Sequence, residues 1–210
     1  GSIAITGADA VTLILACGTD YKMELPTFRG EDPHEAVSKR VVDAAKKGYE
    51  AVKKDHVADH SKLFSRLELS FNEEIPQIPT DELILKYRNM VDGDGSNIPT
   101  EAEQRALEII CYQFGRYLTI AGSREGALPT NLQGVWGEGR FAWYGDYHFN
   151  INVQMNYWPT MASNLGECLL PFNEYLEVLR QAGRGSAASA FGIKSEEGEE
   201  NGWLVGCFST

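Results

Sequence analysis

Positive charge is scarce in this chain: 19 Lys and Arg stand against 30 Asp and Glu, a net charge of −11 at pH 7. No nucleic acid or anionic membrane surface is expected as partner, because phosphate binding takes clustered Lys and Arg. Cysteine is sparse too. Cys17, Cys111, Cys168 and Cys207 lie far apart, so neither a zinc knuckle nor a redox motif is spelled out, and no metal site or cofactor motif is legible. Four cysteines permit disulfides, but a chain of this length does not need them, so they leave the compartment open. The longest apolar run, Ala10 to Cys17, is too short to span a bilayer and is broken by Thr12, so no membrane insertion is expected. Internal repeats, N-glycosylation acceptors and a secretory leader are lacking as well. The chain reads as starting within a domain, so the missing leader carries no weight. What is present is ordinary for a globular protein: 43% hydrophobic and 23% charged residues exclude wholesale disorder. With 210 residues the chain can hold one domain, or one domain and a piece of another, and the second reading fits its patterning better.

Ile3 to Ala16 reads as a strand pair turning at Gly7-Ala8-Asp9, which would need a larger sheet to be stable. Asp32-Pro33-His34-Glu35 opens a helix, with Asp as cap, Pro in the first turn and Glu placed to close a capping box. Gly48 ends or bends it, and a second helix follows from Tyr49 to Ser65. Leu67, Leu69 and Phe71 alternate as a short strand. Glu73 to Thr80 is extended linker, Asp81 to Met90 helix, and Val91 to Pro99 loop. Thr100-Glu101-Ala102-Glu103 is a capping box that starts a helix ending at Gly122, the clearest helix in the sequence. Ser163 to Gln181 is a further helix, Ser195 to Asn201 an acidic loop, and Gly202 to Phe208 a strand-like return.

The most informative stretch is Trp143 to Pro159, which holds six aromatics, a His and three Asn among apolar residues. From Phe149 to Val153 apolar and polar residues alternate, which predicts an extended segment with Asn150 and Asn152 on one face and His148 beside them. Amides offer both donors and an acceptor, and aromatic faces stack on apolar ring faces, so this combination suits a sugar.

Here the chain resembles glycoside hydrolase family 95, the inverting 1,2-α-L-fucosidases. The likeness runs from about Ser123 to Cys168, through Arg124-Glu125-Gly126-Ala127-Leu128-Pro129-Thr130-Asn131-Leu132-Gln133-Gly134-Val135-Trp136, Asp146-Tyr147-His148-Phe149-Asn150-Ile151-Asn152, Gln154-Met155-Asn156-Tyr157-Trp158-Pro159 and Asn164-Leu165-Gly166-Glu167-Cys168. Residues 44–71 resemble the family's helical joining segment and the strand after it. The resemblance implies a mainly α fold with a β remnant: residues 1–72 as the end of a β-sandwich domain with joining helices, 73–99 as linker, and 100–210 as the first part of an (α/α)6 catalytic barrel. It implies a fucosylated glycan as substrate, no cofactor, and a periplasmic or extracellular setting.

By the same resemblance, Asn150 and Asn152 match the two asparagines that position the attacking water together with a later Asp. His148 matches a sugar-binding His of members that prefer L-fucose over L-galactose. The family's general acid is a Glu far downstream, and too few residues follow Asn152 to be expected to reach it. Chemistry agrees, since inversion needs an acid and a base about 6.5–9.5 Å apart and a neutral amide is a poor base. The chain is therefore expected to be part of a glycosidase and inactive alone. An α-L-galactosidase of the same family, and a carbohydrate-binding module without turnover, are the alternatives.

Other features have plainer readings. Asp92 to Glu103 brushes against a calcium loop, but Asn97 replaces the turn Gly and Pro99 intrudes, so a linker feeding a helix cap is the stronger reading. His56 and His60 lie one helical turn apart without a third ligand nearby, which favours packing. Trp136 and Trp143 are candidate sugar platforms, whereas Tyr157 and Trp158 are expected in the core. Asn131 and Gln133 are candidates for a supporting role at the sugar. Glu125 and Asp146 are the carboxylates of the motif, and the resemblance makes neither the acid. Without that resemblance, Asn150 and Asn152 would read as amides tying down a loop.

Overall fold

A computed structural model describes residues 2–71, 75–93, 95–137, 142–194 and 202–209. The chain divides into two compact units, residues 1–61 and 62–210, and it is mainly helical with almost no strand. The acidic loop expected over Ser195 to Asn201 lies outside the described residues.

In the first unit the expected hairpin is not formed. Among the described residues, the segment from Ile3 to Ala16 carries no strand, and Ile3, Val11, Leu13 and Leu15 are exposed. Two strands without a sheet to cover their apolar face gain too little burial to persist in water. A single antiparallel bridge, Tyr21 to Arg29, does close a turn, backed by stacked Tyr21 and Phe28 rings and an Arg29–Asp20 ion pair. Helix α1 (His34–Lys47) follows. Asp32 Oδ1 accepts the His34 N–H at 2.8 Å, which satisfies one donor of the first turn without the reciprocal bond of a full capping box. Gly48 at φ 81° ends α1, a conformation that residues with a Cβ resist. Helix α2 (Tyr49–Phe64) starts at once, and its last residues, from Lys62, belong to the second unit.

The second unit holds α3 (Thr80–Asp92), α4 (Glu101–Gly122), β1 (Tyr147–His148), α5 (Asn152–Ala162), α6 (Leu170–Phe191) and β2 (Phe208–Ser209), with short 3-10 turns at Ala142–Gly145 and Gly166–Leu169. The capping box at α4 is complete: Thr100 Oγ1 accepts the Glu103 N–H at 3.3 Å, and Glu103 Oε2 accepts the Thr100 N–H at 2.8 Å. Glu103 Oε1 takes Lys86 of α3. That Lys86 bond, with the Thr100 N–H behind it, holds the Glu103 carboxyl below the usual carboxylate range. Both its oxygens being engaged, Glu103 serves the cap rather than a calcium loop.

Helix α6 begins later and ends later than its sequence pattern suggests. Asn164 turns the chain at φ 56°, and the helix then runs on through Gly183 and Gly185 to Gly192, which caps it in the left-handed region. The strand expected over Leu67 to Phe71 is not among the described strands; instead the Leu67 carbonyl accepts from Arg116. Leu63, Ile120, Leu165 and Cys168 form a buried cluster. Burial pushes the Cys168 thiol up, which makes it inert packing. Beside this cluster Arg116 is buried, and its guanidinium donates to the Leu63, Phe64 and Leu67 carbonyls at 3.3, 2.8 and 3.0 Å. Two of those carbonyls, Leu63 and Phe64, lie in the last turn of α2, where the regular helical bond is lost; the Leu63 carbonyl also accepts the Arg66 N–H at 3.3 Å, and Arg116 adds a cap from the middle of another helix.

Candidate functional site

The site begins with two consecutive residues in the left-handed region. Trp143 and Tyr144 adopt φ 56° and 58°, a conformation costing roughly 1–2 kcal/mol for each residue that carries a Cβ. The kink leaves Trp143 66% exposed and sets its ring edge-on to His148, with centroids 5.4 Å apart. Asp146 and His148, two positions apart, point to the same side of the short extended stretch at β1, and Nε2 lies 2.7 Å from Oδ1. The two atoms are in contact without the alignment of a good N–H···O bond. Asp146 was legible only as a carboxylate within the motif; its spacing from His148 was the signal for its partner.

β1 is held from two sides. It pairs antiparallel with β2, Tyr147 opposite Ser209 and His148 opposite Phe208. Tyr147 Oη donates to the Pro129 carbonyl at 2.9 Å. The next residue, Phe149, donates its N–H to the Cys207 carbonyl at 2.6 Å and stacks its ring on Phe172 and Tyr175 of α6.

The extended alternation read over Phe149 to Val153 is corrected by the structure. Residues 149–151 form a turn, and Asn152 is the first residue of α5. Phe149 and Val153 are inward for different reasons, one stacked on α6 and the other buried in the first helical turn, while Ile151 is exposed. Asn150 is exposed on the turn, and Asn152 is half-buried. Among the described residues neither side-chain amide takes a hydrogen-bond partner. Gln154 closes the turn by donating from Nε2 to the Phe149 carbonyl at 2.8 Å. Among the described residues no side chain caps α5, so its first N–H groups and the positive end of its dipole face the same turn.

The remaining sequence candidates gather on an adjoining loop. Asn131 is committed to backbone at both ends of its amide: Nδ2 donates to the Gly145 carbonyl at 2.9 Å and Oδ1 accepts the Gln133 N–H at 3.0 Å. It therefore staples the loop to the Trp143–Tyr144 kink. Asn156 of α5 donates to the Asn131 carbonyl at 2.6 Å. Gln133 and Trp136 line a cavity of about 220 Å³ together with Thr119, Ser123, Thr130 and Asn156, between α4, α5 and this loop. The structure thus sets Trp143 against His148, with Asn150 on the turn that follows β1 and Asn152 at the start of α5; Gln133 and Trp136 line the cavity beside α4, and Trp136 also lines a second one with Asn131 and Tyr147. Tyr157 is buried as expected; Trp158 is not, at 63% exposure, because the buried face of α5 runs through Val153, Tyr157 and Thr160.

Comparison with known proteins bears on this arrangement. The model of the glycosyl hydrolase family 95 catalytic domain matches residues 48–209. "Probable alpha-fucosidase A" of Aspergillus niger is 35% identical over 209 residues, covering 95% of this chain and 24% of that protein. Its counterpart of the same name from Aspergillus oryzae is 35% identical over 189 residues, 84% of this chain and 25% of that protein. "Alpha-L-fucosidase 2" of Arabidopsis thaliana is 31% identical over 212 residues, 97% of this chain and 23% of that protein. The chain spans about a quarter of the length of these relatives. With the aromatic, amide-bearing turn inside a match that covers most of its residues, the chain belongs to glycosyl hydrolase family 95.

Proposed function

We propose that this chain contributes to an exo-acting glycoside hydrolase that removes terminal α-L-fucose from glycans by inversion, with α4 to α6 forming part of an (α/α)6 barrel. Asn150 and Asn152 position the attacking water, His148 contacts the sugar, and Trp143 offers it an apolar face. The relatives' names support the substrate class. The observation that carries the reading is the turn itself: two amides with no hydrogen-bond partner among the described residues, one on the turn that follows an imidazole with an adjacent carboxylate and the other opening α5.

The chemistry follows from that placement. A water held by two amides gains direction but not basicity, so a carboxylate outside this turn takes its proton, and a separate acid protonates the leaving oxygen. As the water loses its proton it gathers negative charge, which the N-terminal end of α5 favours. Asp146 fixes the orientation of the His148 ring, so that a sugar hydroxyl meets a ring nitrogen in a set position.

The test uses this chain extended to the length of its relatives. Free fucose is released from a 2′-fucosylated glycan, and NMR of the first product shows the β anomer. Asn152→Ala lowers kcat by about 10²–10⁴ with KM little changed. Undiminished release by the Asn150→Ala, Asn152→Ala double variant, or the α anomer as first product, refutes the assignment. The 210-residue chain by itself is expected to bind without releasing fucose.

A further inference from the structure

We infer that Gly183, in the middle of α6, is a positioning residue for the His148 turn, acting through the backbone of the segment from Gly202 to Ser209. A glycine inside a helix is unfavourable next to alanine, so its presence calls for a reason. The reason is a close crossing. A Cβ on Gly183 would lie 2.7 Å from the Leu204 carbonyl oxygen, closer than backbone can accept, and a tight 3.3 Å from Leu204 C and N. At this crossing the Leu204 N–H donates to the Gly183 carbonyl at 3.1 Å. The same segment then reaches the site: the Cys207 carbonyl accepts the Phe149 N–H, and β2 pairs with Tyr147 and His148 of β1. Gly183 thereby sets how low the segment rides on α6, and the segment sets where β1 and the Asn150 turn sit. Gly185, two residues on, has open space where its Cβ would be. That contrast separates a need for closeness from mere tolerance of glycine.

The assignment of His148 and Asn150 to the sugar rests on the function proposed above; the mechanical coupling does not. The experiment reads it in the absence of substrate, by amide hydrogen exchange at Phe149 and by the imidazole Cε1–H resonance of His148. Gly183→Ala forces the segment off α6, so Phe149 exchange accelerates about tenfold or more, the equivalent of losing one hydrogen bond, and the His148 resonance shifts. Gly185→Ala on the same helix leaves both unchanged. Leu204→Pro removes the N–H that anchors the crossing, at a surface position whose change spares the core, and repeats the effect of Gly183→Ala. It also keeps the test decisive should Gly183→Ala fail to fold. The inference is overturned if Leu204→Pro, or a folded Gly183→Ala, leaves Phe149 exchange and the His148 resonance as they are in Gly185→Ala. Fucose release by the Asn152→Ala variant of the longer protein decides the functional reading separately, since neither exchange nor the resonance depends on turnover.

Discussion

Removing one oxygen from Tyr157 should cost the second unit a measurable share of its stability. Tyr157 Oη lies 2.9 Å from Ser123 Oγ and accepts the Thr130 N–H at 2.8 Å. Ser123 has a single hydroxyl proton, and it goes to the Cys168 carbonyl at 2.7 Å, an oxygen that can only accept. Tyr157 must therefore donate to Ser123, which fixes the direction of every bond in the chain Thr130 to Tyr157 to Ser123 to Cys168. Tyr157→Phe leaves the ring in place, stacked on Phe172 at 5.1 Å, and strips the Thr130 N–H of its acceptor at a buried position. An unsatisfied buried donor costs about 1–3 kcal/mol, so a loss near ~2 kcal/mol is expected. In urea that is a fall of about 1 M in the midpoint at unchanged slope, followed by tryptophan fluorescence. The double variant Tyr157→Phe, Ser123→Ala should cost less than the sum of the two single effects, because both singles break the same Tyr157–Ser123 bond. A Tyr157→Phe loss below about 0.5 kcal/mol, within the range of an exposed neutral change, would refute the bond directions. Strictly additive single and double variants would do the same.

Other outcomes are equally specific. Arg116→Met should destabilise by about 3 kcal/mol, since three carbonyls lose donors to a charged group. Arg116→Lys should recover little of it, because one ammonium cannot reproduce the fork; calorimetry showing wild-type stability for the Lys variant would exclude the capping role. Thr100→Ala should cost about 1 kcal/mol in thermal or urea melts, and no loss would mean that the box is ornamental. For Glu103 the folded carboxyl titrates below its ordinary value. Its support is thus complete above about pH 4.3, the unfolded value, and fades as pH falls through the lower folded value. Glu103→Gln should have a flatter acid limb in stability against pH, whereas parallel curves would remove Glu103 from the acid response.

What the sequence revealed of the fold was written in local chemistry. Thr100 with Glu103, Asp32 before Pro33, and Gly48 mark helix ends because a cap or a positive φ is satisfied by the residue itself and its near neighbours. Long-range partners leave no such mark. Nothing next to Arg116 says that it serves the end of α2, and nothing next to Phe149 says that Cys207 will take its N–H. The alternation from Phe149 to Val153 misled for a related reason. Five residues fit period two as well as they fit a turn followed by the first turn of a helix, and the packing of Phe149 on Phe172 and Tyr175 decides between them. At the candidate site the residue types were legible and their grouping was not. Trp143 meets His148, and Asn150 and Asn152 follow at the next turn and helix start, yet Trp136 and Gln133 line a cavity beside α4, and the amide of Asn131 is engaged by backbone on both sides.

The placement of Arg116 also has a temporal side. The carbonyl of Leu63 is answered by a side chain 53 residues later in the chain. During synthesis at roughly 5–20 residues per second, the last turn of α2 waits some seconds, on the order of 3 to 10, before its cap has even been made. Throughout that interval the turn lacks the Arg116 guanidinium and is open to fraying. Any slowing of translation between Phe64 and Arg116 would lengthen the exposure, and with it the window in which a chaperone or a protease meets that end of the helix.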